Sequence, residues 1–240
     1  QVYFHADVPC ETVTNTTWLP DVASDDAVVT IIEEDEVFSD LGDAPDSTNH
    51  FSNPMTAYPA GGPPAVFAQY PTVFDPATGL PQGPKHFGAG LFGAWLGLTV
   101  THEFDADLMP DTDGVTNIDP PPDMPDRDVA DDALSPPLFL PDCTATTFEY
   151  IVTVKDAGNY LVNVWFDWLR DGDWDDRPEC PNGTLAPEWA VQNQFLTFSA
   201  PGTYTVTTPA FLPFNPMPEA EMWMRMTLTL EGDPPPPNPD

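Results

Sequence analysis

Short carboxylates at close spacing are the side chains in this sequence best suited to chemistry, and they fall into three groups. The first holds Asp40, Asp43 and Asp46, within Asp40-Leu41-Gly42-Asp43-Ala44-Pro45-Asp46. A second opens with Asp105 and Asp107, continues with Asp111 and Asp113 before Gly114, and trails on through Asp119, Asp123, Asp126, Asp128, Asp131 and Asp132. The third holds Asp167, Asp171, Asp173, Asp175 and Asp176, with Gly172 among them. Carboxylates two residues apart, beside a glycine that permits a sharp turn, can bring their oxygens to one point. Calcium takes six to eight hard oxygen ligands at about 2.3–2.6 Å, which such loops provide. Aspartate is also a favoured turn residue and needs no ion for that role. Density favours the ion: 39 Asp plus Glu stand against six Lys plus Arg, so loops this acidic repel themselves unless a cation is held. Calcium is therefore the expected cofactor, with Asp40, Asp43, Asp46, Asp105, Asp107, Asp111, Asp113, Asp167, Asp171, Asp173 and Asp175 as candidate ligands.

The third group keeps part of the EF-hand spacing, with Asp167 first, Asp171 fifth and Gly172 sixth. Leu169 at the third position and Pro178 at the twelfth break the pattern, because the twelfth calls for a bidentate Glu. A helix–loop–helix hand is excluded, and a strand-borne loop of similar local geometry is expected instead.

The same charge count excludes whole classes of function. The formal charge is −33, and binding to nucleic-acid phosphates needs a basic footprint that six cations cannot make. Hydrophobic residues are 41% of the chain, enough for a packed core rather than a disordered acidic tail. Helices are disfavoured by 32 prolines, each costing about 3 kcal/mol in a helix interior. No apolar run reaches the roughly 18 residues that read as a membrane-spanning helix. No signal peptide is visible, and Gln1 suits the first residue of a processed chain.

The cysteines are Cys10, Cys143 and Cys180. They form no CxxC pair or Cys/His cluster, which argues against zinc. Sequons at Asn15 and Asn182 permit glycosylation. Acids skewed toward Asp point to an extracellular or cell-surface protein, with a halophilic cytosolic one as the competing explanation.

The elements that must position these groups read as strands. Residues 147–154 put Phe148, Tyr150, Val152 and Val154 on one face, and Tyr160, Val162, Val164 and Phe166 alternate after a turn at Asp156-Ala157-Gly158-Asn159, which predicts a hairpin. Met222, Met224, Met226, Leu228 and Leu230 alternate near the end. Further strands are expected within 27–32, 91–104, 194–198 and 203–208. Short strands between Pro/Gly/Asp turns give an all-β fold with little helix, a β-sandwich of Ig-like or jelly-roll-like form with long Asp/Pro-rich loops. Residues 53–84 read as a long ordered excursion, and 105–141 as an acidic loop, functional or disordered. The prolines of 234–239 form a stiff polyproline spacer. Three cysteines allow three pairings; the hairpin puts Cys143 and Cys180 beyond one of its ends, so Cys143–Cys180 is the expected disulfide and Cys10 is left free or intermolecular.

Four segments in order resemble the GEVED domain: DLGDAPDS at 40–47, KHFGAGLFGAWLG at 85–97, DADLMPDTDGV at 105–115 and YLVNVWFDWLRDGDWDD at 160–176. That domain is a β-sandwich module of large secreted and surface-anchored microbial proteins. The resemblance covers roughly residues 40–231 and implies a structural or binding role rather than catalysis. This chain has Leu169 where the family pattern usually has Asn, and the closing motif that names the family is missing, with only Glu231-Gly232-Asp233 near it. Residues 1–39 fall outside the resemblance and form an N-terminal extension, 40–231 the module, and 232–240 a Pro-rich tail.

The expected function is an extracellular, calcium-stabilised structural subunit or adhesion module. The 27–32 strand could complete a neighbour's sheet and so build a filament; pairing within its own fold is the plain alternative. A calcium-dependent carbohydrate-binding module is the second reading, with Trp95, Trp165, Trp168, Trp174, Trp189 and Trp223 as candidate sugar platforms, although tryptophans of a sandwich mostly lie in its core. The expected partners are further copies or neighbouring surface domains, and glycans in the second reading. An enzyme is not expected: there is no GxSxG or HExxH motif, and Glu103, Glu149 and Glu188 carry no sign of a glycosidase pair.

Overall fold

The computed structural model describes residues 39–40, 42, 44–45, 47, 56–58, 63, 66–71, 74–75, 80–81, 83, 86–87, 93–100, 133–134 and 138–232. Among these there is no helix. The strands are β1 (Ser39–Asp40), β2 (Phe74–Asp75), β3 (Leu80–Pro81), β4 (His86–Phe87), β5 (Ala94–Leu96), β6 (Glu149–Val154), β7 (Gly158–Phe166), β8 (Trp189–Phe198), β9 (Gly202–Thr207) and β10 (Met224–Leu230). Two three-stranded antiparallel sheets, β5-β6-β9 and β10-β7-β8, carry the structure, with small β1–β4 and β2–β3 pairs beside them. The all-β expectation holds. The expected strand at 27–32, Cys10 and the tail from residue 233 onward lie outside the described residues.

On β6 and β7 the faces expected from the alternation are buried. On β10, by contrast, Met224 and Met226 are half-buried, Leu230 is exposed, and Arg225 and Thr227 of the opposite face are buried. Phe148, Tyr150, Val152 and Val154 join Tyr160, Val162, Val164 and Phe166 in one apolar cluster, to which both sheets contribute. Phe148 meets Phe166 edge-on, with centroids 6.4 Å apart, and the Tyr150 hydroxyl donates to Gln194 Oε1 at 2.9 Å. The expected hairpin is not formed. β6 pairs with β5 and β9, whereas β7 pairs with β10 and β8. A period of two shows that a strand has a buried face; it does not show its neighbour in the plane, since facing a strand across a core satisfies the pattern as well as pairing with it. The turn belongs to another partner: the amides of Lys155 and Asp156 both donate to the Gly93 carbonyl, each at 2.9 Å.

The start of β6 and the end of β7 nonetheless lead to one end of the fold. Cys143 and Cys180 are disulfide-bonded there, with Cα atoms 5.7 Å apart. The expected pairing is present, although a facing pair of strands, and not a hairpin, brings it about.

Covering of the second face of β7 was not visible in the sequence. Toward its end β7 is buried on both sides, and Trp165 belongs to a separate cluster with Ala57, Tyr58, Ala68, Tyr70, Trp174 and Trp223. Residues 56–58 and 66–70 therefore lie over the outer surface of the β10-β7-β8 sheet, as part of the expected excursion. Backbone bonds hold it: Ala57 N to Val66 O at 2.9 Å and Gln69 N to Gly172 O at 2.8 Å, while the Trp223 indole donates to the Ala57 carbonyl. Arg225 stacks 4.4 Å above the Trp174 ring and donates to the Pro71 carbonyl.

Candidate metal centre

The loop after β7 starts where the sheet hands the chain over. Phe166 N donates to the Glu188 carbonyl at 3.0 Å, and Glu188 N to the Asp176 carbonyl at 2.9 Å. Glu188 thus enters β8 directly beside the end of β7, and its side chain is carried under the acidic loop. Trp168 and Trp174 pin that loop, being 1% and 2% exposed. Gly172 lets it turn, with φ +97°; a Cβ there would lie 2.2 Å from the Phe67 carbonyl oxygen. Arg170 is buried at φ +56°. Its guanidinium donates to the carbonyls of Glu221, Met217 and Ala220 and to Asn215 Oδ1 at 3.0–3.1 Å, and its Nη1 to the Trp168 carbonyl at 3.5 Å.

Asp167 is fully buried. Its Oδ2 accepts from the hydroxyls of Tyr58 at 2.6 Å and Tyr70 at 2.5 Å and from Gly172 N at 3.0 Å, and its Oδ1 from Asp171 N at 3.1 Å. Oδ2 is saturated by these donors, and Oδ1 keeps a lone pair free for a ligand. Glu188 is also fully buried; Oε1 accepts from Leu169 N at 3.3 Å and Oε2 from Asp176 N at 3.0 Å. One oxygen from each of Asp167, Asp171 and Glu188 lies within 4.8 Å of the others, and the same holds for Asp171, Asp173 and Asp176. The cluster of buried Asp167, buried Glu188 and exposed Asp171 could hold a metal ion. Among the described residues no Lys or Arg pairs with these three carboxylates.

Crowding without a cation shows in the acidities. Burial, opposed by two amide hydrogen bonds and reinforced by the charge of Asp167, pushes Glu188 up to about 9. Asp171 rises to about 7, first through burial, then through its hydrogen bond with Asp176 and repulsion from Asp173, Asp167 and Asp176. Asp173 rises to about 6, mainly through burial and the charge of Asp175. Tyr58 and Tyr70 are pushed well above the usual phenol value, by burial first and then by neighbours that include Asp167. They stay neutral donors at any ordinary pH. A bound cation would favour the ionised forms and draw these values back down.

Of the candidate ligands expected from sequence, Asp167, Asp171 and Asp173 are brought together. Asp175 is exposed and belongs to neither group; its amide donates to Asp173 Oδ1 at 3.3 Å. Asp40 lies in β1, and its side chain is not among the described features. Asp43, Asp46, Asp105, Asp107, Asp111, Asp113 and Asn15 lie outside the described residues. Asn182 sits on an exposed turn, its Oδ1 accepting from Thr184 N at 3.0 Å. Two members of the acidic groups were not on the ligand roster: Asp176, and above all Glu188. A usable signal existed, since Glu188 is the one acid between residues 180 and 218, set between Pro187 and Trp189. The EF-like spacing was informative too. Asp171 and Gly172, at its fifth and sixth positions, send their amides to the carboxylate at the first. Leu169 breaks the pattern by its side chain, and its amide instead orients Glu188.

Four of the six tryptophans considered as sugar platforms, Trp165, Trp168, Trp174 and Trp223, are buried. Half-buried Trp189 stacks on Trp165 at 5.7 Å between centroids. No protein-family model, no curated protein and no solved structure matches this chain.

Proposed function

We propose that this protein is an extracellular, non-catalytic structural or adhesion module of GEVED type, a β-sandwich of Ig-like or jelly-roll-like form locked by calcium. The single observation that carries the reading is the convergence of two fully buried carboxylates, Asp167 and Glu188, with Asp171 and, among the described residues, no cationic side chain paired with them. Left alone, two buried anions this close are costly. An all-oxygen donor set suits a hard cation and not zinc or copper, and the mixture of a tight turn with a distant glutamate suits the flexible coordination of calcium better than the strict octahedron of magnesium.

The extracellular part of the reading is supported by the Cys143–Cys180 disulfide, which persists in oxidising compartments, and by the exposed Asn182 sequon. The GEVED part rests on the four motifs and on two sheets that share a core. Residues 1–39, with the strand expected at 27–32, and the Pro-rich tail from 232 to 240 would join the module to its neighbours, through strand exchange in a filament or as spacers. The carbohydrate-binding reading draws no comparable support, because most of its platforms face inward.

Calorimetric titration and thermal melts test the calcium claim together. At a free concentration 10 to 100 times the dissociation constant, one site adds about 1.4–2.7 kcal/mol. Calcium should therefore raise the melting temperature, chelator should lower it, and magnesium should do less. Glu188→Gln should remove the gain while keeping the fold. A melt indifferent to both calcium and chelator would end this reading.

A further inference from the structure

The strands β8 and β9 lie in the longest uncharged run of the chain. Between residues 189 and 218 there is no Asp, Glu, Lys, Arg or His, although 19% of the whole chain is charged. Among the described residues β9 is paired with β6 alone, so it is an edge of the β5-β6-β9 sheet. Its polarity can be read from its end. Thr208 N donates toward β6, to the Phe148 carbonyl at 2.9 Å, whereas the Thr207 carbonyl accepts from Gln194 Nε2 at 2.8 Å on the other side. Alternation then turns the backbone N–H and C=O groups of Thr203 and Thr205 outward in the plane of the sheet. The side chains of Thr203, Thr205 and Thr207 are exposed, while Tyr204 and Val206 pack against the core. β9 shows none of the devices that blunt an edge: its register with β6 is unbroken, and it has no charge and no proline. β8 does show one, with register shifts around Val164 and Asn193 at φ +50°.

We propose that β9 pairs antiparallel with β9 of a second copy of this chain, across a twofold axis at Thr205, merging two sheets into one. The uncharged edge admits a second copy where the rest of the surface does not. Two copies at −33 each repel over most of their surfaces, and an edge without charge lets them approach without carboxylates meeting. The strand is also complementary to itself: Thr203 faces Thr207, Tyr204 faces Val206, and Thr205 faces its own copy, all β-branched or aromatic pairs of the kind that stabilise sheets. The Thr207 carbonyl keeps its bond from Gln194 and has a second lone pair to share. An interface of this symmetry closes at two chains. It does not rest on the cation reading, because no member of the acidic cluster takes part.

Sedimentation analysis of the intact chain, at fixed calcium and across a dilution series, tests the proposal. The expected species has twice the 26.3 kDa chain mass, and added sodium chloride tightens the dimer by screening repulsion, where an ion-paired interface would loosen. Thr205→Asp places two carboxylates across the axis and should weaken the dimer about tenfold or more; Gln192→Glu, on β8, should change it little. If Thr205→Asp fails to fold by near-ultraviolet circular dichroism, Thr205→Pro removes only an outward N–H, which an edge tolerates, and should give monomers. A monomer at every concentration and salt level overturns the proposal. So does open-ended growth, the mark of strand exchange, or equal weakening by the β8 and β9 charges. A dimer that persists after calcium binding is lost would separate this inference from the metal reading.

Discussion

Asp167 gathers its four donors from three places in the chain, and each donor carries a measurable share of the cluster. Removing the Tyr70 hydroxyl with Tyr70→Phe should cost about 1–3 kcal/mol, the usual penalty for a buried charged acceptor that loses a partner. Protons give a second test. Glu188, Asp171 and Asp173 are raised to about 9, 7 and 6, so each prefers to be protonated in the fold. Their contribution to stability is whole below the ordinary carboxylate range near 4 and is lost as pH climbs through the folded values. In chelator, the melting temperature should therefore fall between pH 5 and pH 9; saturating calcium, which needs the ionised forms, should flatten or invert that slope. Identical slopes with and without calcium would mean that these carboxylates do not share a cation. Sequence exposed the local half of this cluster, because Asp167, Asp171 and Gly172 carry their geometry in their spacing. Glu188 is singled out in sequence only by its isolation between Pro187 and Trp189; its place in the cluster depends on the pairing of β8 with β7, which no local pattern encodes.

β7 is the element on which both clusters depend, and its alternation of Tyr160, Val162, Val164 and Phe166 made the inner face legible. Its neighbours were not legible: the short turn after β6 suggested a hairpin, and only the Gly93 carbonyl, bound by Lys155 and Asp156, shows why the chain crosses to the other sheet. The outer cover is equally nonlocal. Gly172 is its tightest point, so Gly172→Ala combines a strained φ with a clash against Phe67; chemical denaturation should find a loss of about 2–3 kcal/mol. The disulfide closes a span of 37 residues, and in the chain-entropy account Cys143→Ala with Cys180→Ala should cost about 4 kcal/mol. A loss under 1 kcal/mol would mean that the loop is already held in the unfolded state.

At the scale of the whole molecule, composition was the most informative level. The sparse cations, the prolines and the apolar share together pointed to all-β structure with acidic loops, which is what the described residues show. What composition could not reveal is how far apart in the chain the pieces of one site lie. Tyr58 and Tyr70 are 109 and 97 residues from Asp167, and Trp223, which closes the same cluster, comes later still. Contacts this distant demand that long loops close first, so they belong to the slow, final steps of folding. An ion that binds only the finished arrangement cannot speed the rate-limiting ascent; it can only deepen the final well. Stopped-flow experiments should accordingly find refolding rates nearly indifferent to calcium and unfolding rates slowed by it, so that the ion sets how long each molecule lasts rather than how quickly it is made.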